Sequence, residues 1–331
     1  MIIRKSAQEI EGMARAGELV AETIALLGDH VQPGITTGEL DRIAEEFIRE
    51  RGGVPTSKGY RGFPAATCIS PNAMVVHGIP GEHRVEEGDL ISVDVGITLD
   101  GLVADSASTF AVGDVDDGAA RLLEAGKQAL EAGIEQARAG NHVGDISHAV
   151  QEVVEGAGFA VVRSLVGHGV GRSYHEEPQI PNFGEPGRGP LLQTGMTIAI
   201  EPMITAGGPD VYLHDDEWSI STQDGSLAAH FEHTVAVTDG GPRILTRANT
   251  PARAGLLPYS ARGGASRRIF VRRHRKANWP TKKRKSRSKA RSPKRSRARC
   301  SGCRSTAVTQ SSPPSPGRCA STTSASSPAT R

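Results

Sequence analysis

One order of features occurs twice in this chain, and that repetition limits its possible folds more than any single motif. Gly34, Gly38, Glu39, Leu40, Glu46, Phe47 and Gly52 find counterparts 106 positions later in Gly140, Gly144, Asp145, Ile146, Glu152, Val153 and Gly158. His77-Gly78 is echoed by His168-Gly169. Gly88 stands six residues before Asp94, and Gly195 six residues before Glu201. Each half therefore runs helix, His-Gly loop, glycine, strand, carboxylate. A helix-plus-hairpin unit of this size leaves one sheet face uncovered, so two such units are expected to pack face to face. That packing would place the carboxylates of both halves around one central site.

The local patterns support an α+β class. Ser6 to Glu9 reads as a capping box, followed by Ile10, Met13, Gly17, Val20, Ile24 and Leu27 at helical spacing. Thr36 to Glu39 repeats that signal, with Leu40, Ile43, Phe47 and Ile48 behind it and Gly52-Gly53 closing the helix. Further helices are predicted over 117–139 and 143–157. Leu90 to Thr98 alternates as a strand, with Val93, Val95 and Ile97 on one face and Ser92, Asp94 and Gly96 on the other. Met196 to Glu201 and Phe231 to Val237 read as strands as well.

Charge divides the chain. Residues 251–331 hold 22 Lys or Arg and no acid, so residues 1–250 hold 17 basic and 37 acidic residues, a formal net charge of −20. We expect two parts, 1–250 and 251–331. The second is rich in Ser, Arg and Pro and carries the run Lys282-Lys283-Arg284-Lys285. It has too little apolar area to offset its chain entropy, so a disordered basic tail is expected. Cys300 and Cys303 form a lone Cys-x-x-Cys; His274 and Cys319 are available, but their spacing matches no zinc module, so no site is read. Before residue 251 only Cys68 occurs, which excludes a disulfide scaffold there. The N-terminus lacks the apolar core of a signal peptide, and no apolar run is long enough to span a membrane. A cytoplasmic protein is expected.

Acids then stand out at strand positions. Asp94 and Asp105 flank Leu99-Asp100-Gly101, a hairpin signal, and folding there brings them within about one residue of register, on one face. Glu201 ends the apolar strand 197–201, and Glu232 lies in His230-Phe231-Glu232-His233-Thr234. His168 is expected in a flexible Gly-rich loop. Any one of these reads as an ordinary polar side chain. Together, four carboxylates and an imidazole form a ligand set for two divalent cations.

Met74-Val75-Val76-His77-Gly78-Ile79-Pro80, Asp94-Val95-Gly96, Ala104-Asp105, Gly167-His168-Gly169-Val170-Gly171, His175-Glu176, Ile200-Glu201-Pro202 and Phe231-Glu232-His233-Thr234 closely resemble type I methionine aminopeptidases. The resemblance covers roughly residues 4–248. It implies a pita-bread fold, with two pseudo-symmetric helix-plus-antiparallel-sheet halves around a dinuclear site. Asp94 would chelate one metal, His168 and Glu201 the other, and Asp105 and Glu232 would bridge both. The implied reaction is removal of the N-terminal methionine from nascent, deformylated proteins when the next residue is small. Glu201 would shuttle the proton, and His77 and His175 would contact the substrate amide, His175 at the developing oxyanion. Tyr60, Phe63, Cys68, Tyr174 and Trp218 would line the methionine pocket, with His77 at its edge. Ser57 stands where relatives often carry a second cysteine, and Arg61 is expected at a rim facing solvent.

The donor set accepts Co²⁺, Mn²⁺, Fe²⁺ or Zn²⁺ without selecting among them. A monomer is expected, with no membrane partner. Two readings of the tail stay open: an arm for ribosomal RNA, binding phosphates by counterion release, or a product of a shifted reading frame or extended gene. A solvated tail without function is the third. Two other functions compete. A prolidase or aminopeptidase P usually carries an added N-terminal domain, for which residues 1–77 leave no room. A ribosome-binding scaffold of the same fold would be expected to have lost ligands, and all five are present.

Overall fold

The structure, a computed structural model, describes residues 1–247. The boundary expected at 250, the basic tail and the Cys-x-x-Cys lie outside the described residues.

In the first half, α1 (Ala7–His30) and α2 (Thr37–Glu50) precede β1 (Val54–Pro55), β2 (Cys68–Pro71), β3 (Met74–Val76) and the hairpin β4 (Leu90–Leu99) and β5 (Leu102–Ala111). The second half opens with α3 (Asp117–Gln136) and α4 (Val143–Gly156). Its strands are β6 (Ala160–Val161), β7 (Val166–Gly169), β8 (Glu176–Pro181), β9 (Thr197–Ile200), β10 (Met203–Thr205), β11 (Val211–Leu213), β12 (Ile220–Thr222), β13 (Ala228–His230), β14 (His233–Thr238) and β15 (Gly241–Ile244). The main sheet of the first half sets β5 along one edge of β4, with β1 and β2 in tandem along the other. The main sheet of the second half has the order β15-β14-β9-β7-β8. All of these pairings are antiparallel.

The helix part of the repetition predicted from sequence is visible bond by bond, whereas the His-Gly echo is not kept: His77 follows β3 and His168 lies within β7. Ser6 and Thr36 cap α1 and α2 through full capping boxes. Glu39 Oε2 accepts from the Thr36 amide at 2.9 Å, and its counterpart Asp145 Oδ2 accepts from the His142 amide at 2.7 Å. The loop before β4 returns to α2 through Gly34 N–H to Val85 O and Gly38 N–H to Gly81 O. The matching loop before β9 returns to α4 through Gly140 N–H to Leu192 O and Gly144 N–H to Arg188 O. Each half has its own core. One gathers Leu19, Leu27, Leu40, Ile48, Val93, Val95 and Ile97 between α1, α2 and β4. The other gathers Leu122, Ile146, Val150, Ile198, Ile200 and Val235 between α3, α4 and the second sheet. The helices thus cover one face of each sheet and leave Asp94 and Gly96 on the opposite, inner face.

The halves meet where β5 runs beside the segment that ends β13 and begins β14. Two threonines stitch that seam. The Thr234 hydroxyl accepts from Asp105 N–H at 2.9 Å and donates to Asp105 O at 2.8 Å. The Thr109 hydroxyl does the same for His230, at 2.9 Å each way. Between them Glu232 N–H donates to Ala107 O at 2.9 Å. Each hydroxyl replaces a backbone partner, so buried peptide groups stay satisfied although the regular ladder is interrupted. The pita-bread arrangement implied by the motifs is therefore present, with the functional face on the inside of the seam.

Candidate metal centre

The β4–β5 hairpin positions the first two acids. Leu99 pairs with Leu102, so the turn is the two residues Asp100 and Gly101, with φ of 52° and 79°. Both are left-handed, as a tight two-residue hairpin requires. This centring corrects the expected register: Asp94 lies opposite Ala107, and Asp105 opposite Gly96. The acids are diagonal neighbours, two positions apart rather than one. An even offset keeps both on the inner face, and their side chains hydrogen-bond to each other.

Glu201 and Glu232 occupy breaks between strands. Glu201-Pro202 separates β9 from β10, where proline cannot donate to a ladder, and Phe231-Glu232 separates β13 from β14. The strand read over 231–237 therefore starts at His233. His168 is a second correction: it is buried within β7, opposite Gln179 and Ala199, not in a flexible loop. Glycine-rich flanks hid the strand because nothing there alternates. Gly167 and Gly169 are small for a reason, since a Cβ on either would meet backbone oxygen at 2.5 and 2.3 Å.

The five expected residues converge. Donor atoms of Asp105, His168 and Glu232 all lie within 4.8 Å of one another. His168 Nε2 is 3.9 Å from Asp105 Oδ2 and 3.5 Å from Glu201 Oε1. Its Nδ1 lies 2.8 Å from Gly169 O and donates there, so Nε2 keeps a lone pair aimed at the carboxylates. Asp94 Oδ1, Asp105 Oδ1 and Glu232 Oε1 are buried with no hydrogen-bond partner. Buried acceptors facing acceptors repel unless a proton or a cation lies among them. Without a cation, the acids hold protons. Burial, partly offset by the hydrogen bond from Asp105, pushes Asp94 up to about 7. Burial and then repulsion from neighbouring carboxylates raise Asp105, Glu201 and Glu232 well above their usual range. Burial pushes His168 down to about 4, so its imidazole is neutral and can act as a ligand. Orphaned hard oxygens around a neutral imidazole fit divalent cations.

A cavity of about 180 Å³ opens onto these ligands. Every residue expected in the substrate pocket lines it: Tyr60, Phe63, Cys68, His77, Tyr174, His175 and Trp218. Phe63 and Trp218 meet edge to face at 5.1 Å, and Tyr60 stacks on His175 at 5.2 Å. His168 and His175 have ring centroids 4.1 Å apart. The Ser57 and Tyr174 hydroxyls are 3.0 Å apart, so Ser57 helps to hold an aromatic wall. Tyr174 in turn lies on Gly96, where a Cβ would stand 2.6 Å from its hydroxyl. Gly96→Ala should displace that ring and cost about 1–3 kcal/mol by overpacking. Urea denaturation would measure it, and a change below about 0.5 kcal/mol would mean that Tyr174 moves aside freely.

Several residues at the site were not anticipated. His230 is buried, and its Nε2 stands 3.7 Å from Glu201 Oε2. Burial pushes it down to about 3, so it too is neutral. Its place two residues before Glu232 was the available signal. Leu165, Val166, Val76 and Met203 line the cavity but are ordinary apolar residues in sequence. Glu176 organises the loop that carries His175: it accepts from Arg172 N–H at 2.7 Å, from Ser173 N–H at 3.0 Å and from Lys5 Nζ at 2.5 Å. Lys5 comes from the distant N-terminus, so no local pattern could reveal the pair.

Comparisons with known proteins agree with this geometry. The sequence pattern of metallopeptidase family M24 matches residues 11–239. The chain is 51% identical over 247 residues to the methionine aminopeptidase of Clostridium acetobutylicum, covering 74% of this chain and 99% of that protein. It is 48% identical to methionine aminopeptidase 1 of Bacillus subtilis, covering 75% and 100%. The crystal structure of methionine aminopeptidase from Rickettsia prowazekii superposes with a TM-score of 0.74 at 40% identity, covering 75% of this chain and 100% of that one.

Proposed function

This chain belongs to metallopeptidase family M24, and from that premise we propose that it removes the N-terminal methionine of nascent, deformylated polypeptides when the next residue is small. The carrying observation is the set of orphaned carboxylate oxygens facing the His168 lone pair at the floor of an aromatic cavity.

In this reading residues 1–250 are the catalytic unit. Asp94, Asp105, His168, Glu201 and Glu232 hold two divalent cations. By the family resemblance, Asp94 would serve one, His168 and Glu201 the other, and Asp105 and Glu232 would be shared. Such cations lower the pKa of water and polarise carbonyl oxygens. Glu201 takes the proton of the attacking water and passes it to the leaving amine. His175 donates to the substrate carbonyl oxygen, and His77 holds the amide from the other side. A left-handed backbone at His77, φ 57°, directly after β3, supports that role. Phe63, Trp218, Tyr60, Tyr174 and Cys68 receive the methionine side chain, their rings and sulfur suiting a thioether. Selection for a small second residue is what the resemblance to methionine aminopeptidases implies.

Among the described residues no helix is long and apolar enough to cross a membrane. A cytoplasmic location and a monomeric state belong to the same proposal, with Co²⁺, Mn²⁺, Fe²⁺ or Zn²⁺ as the metal; for 251–331 a ribosome contact, a shifted-frame or extended-gene product and a functionless tail all stay open. Protein loaded with Co²⁺ or Mn²⁺ should release methionine from Met-Ala-Ser and not from formyl-Met-Ala-Ser. Absence of release with every divalent metal would reject the peptidase reading.

A further inference from the structure

Of the described side chains lining the catalytic cavity, one carries a fixed positive charge: Arg61. The others nearest the floor are acids, and residues 1–250 carry a formal net charge of −20. An anionic peptide is therefore repelled by the acidic surface of residues 1–250, and apart from the cations held at the floor, the fixed positive charge lining the cavity among the described residues is this guanidinium.

Arg61 is held in place. The loop 57–63 winds through Tyr60 N–H to Ser57 O at 3.0 Å, Phe63 N–H to Tyr60 O at 2.9 Å and Gly59 N–H to Phe63 O at 2.8 Å. Arg61 itself is left-handed, φ 49°, between Gly59 at 86° and Gly62 at 93°. Glycine adopts that region freely. Arginine does so at a cost, and a backbone outlier of this kind at a cleft is a pointer to use. The guanidinium sits 5.4 Å from the Tyr60 ring centroid, within cation–π range, and that ring stacks on His175. Arg61 is exposed, and no carboxylate among the described residues pairs with it. Neighbouring basic residues behave differently. Lys58 pairs with Glu45 at 2.6 Å, and Arg172 pairs with Glu9 at 2.7 Å.

We propose that Arg61 is a carboxylate-reading residue at the mouth of the cavity, favouring peptides with an acidic group beyond the scissile bond. This rests on the aminopeptidase reading above. The first side chain fills the closed, aromatic end, so the rest of the peptide leaves past the exposed rim where Arg61 stands. The anion it meets has two sources: an Asp or Glu at the third residue, or the C-terminal carboxylate of a short peptide. A planar fork of donors suits either.

The test uses full-length enzyme loaded with Mn²⁺ at low ionic strength and the peptides Met-Ala-Glu-amide, Met-Ala-Gln-amide, Met-Ala-Lys-amide and Met-Ala-Gln with a free carboxylate. Wild type should prefer Glu over Lys by about fivefold in kcat/KM, mainly through KM, and salt should shrink the ratio. The free-acid Gln peptide beating its amide identifies the C-terminal source. Arg61→Met, which keeps the aliphatic stem, should bring all four peptides within about twofold of one another, the preference being lost through KM. Arg61→Lys should retain part of the preference. Equal rates in wild type, or a Glu preference that survives Arg61→Met, would overturn the proposal. Absence of methionine release from every peptide would instead reject the peptidase reading, and Arg61's role with it.

Discussion

Asp105→Asn is expected to abolish methionine release while making the metal-free protein more stable. Both halves of that result have one cause. Asp105 is 4% exposed, hydrogen-bonds to Asp94 and has a second oxygen with no partner. With cations bound, its carboxylate is the proposed bridge, and losing it should lower kcat/KM on the order of 10³-fold or more. Without cations, the same group adds to a buried cluster of mutually repelling acids. Asn keeps the shape, can donate to Asp94 and needs no proton taken up on folding, so a gain of about 1–2 kcal/mol is expected in chelator near neutral pH.

The sign of the pH dependence follows from the same groups. Asp94 at about 7, and Asp105, Glu201 and Glu232 well above their usual range, bind more protons folded than unfolded. Their contribution is complete at low pH and is lost as pH rises through the folded values. The buried histidines act oppositely. His168 at about 4 and His230 at about 3 gain stability as pH rises, and that gain ends near their unfolded value of 6.5. Of these acids and histidines, the carboxylates alone still titrate above about pH 6.5. The melting temperature of metal-free wild type should therefore fall between about pH 6.5 and 8, less steeply in Asp105→Asn. Saturating Mn²⁺, which binds the ionised form, should flatten or reverse the fall in wild type. Thermal melts in chelator and in Mn²⁺ decide it. A metal-free Asp105→Asn protein less stable than wild type at about pH 7.5 would show that the cluster is not strained.

Lys5→Met should destabilise the fold by about 3–5 kcal/mol, because it strands a buried carboxylate. Lys5 Nζ and Glu176 Oε2 are 2.5 Å apart, with side chains 1% and 3% exposed. Burial lowers Lys5 even against the pull of Glu176. Adding Glu176→Gln should recover most of the loss. The Gln carbonyl can still accept from Arg172 and Ser173, and no unpaired charge remains. Activity in Lys5→Met should fall as well, since the same carboxylate shapes the loop holding His175. Urea titrations of the single and double variants measure the coupling; a loss below about 1 kcal/mol in Lys5→Met would mean that water reaches the pair.

The sequence alone determined the parts whose causes are local. Ser6 and Thr36 announce helix starts by satisfying orphan amides. Asp100-Gly101 announces a turn because both residues tolerate a left-handed backbone, and alternation in 90–98 separates a core face from an inner one. The repeated order of glycines, His-Gly pairs and strand acids announces two halves and the acids they share. Tertiary structure alone decided what depends on how the halves meet. The two-position stagger of Asp94 and Asp105 follows from where the turn centres, and a single residue moves it. His168 became a strand residue because β8 and β9 flank it, not because its glycine neighbours favour a strand. His230 beside Glu201, the Thr109 and Thr234 stitches and the Lys5–Glu176 pair join residues far apart in the chain. Contacts of that kind leave no periodicity behind, because each partner answers to a different local pattern and only packing brings them together.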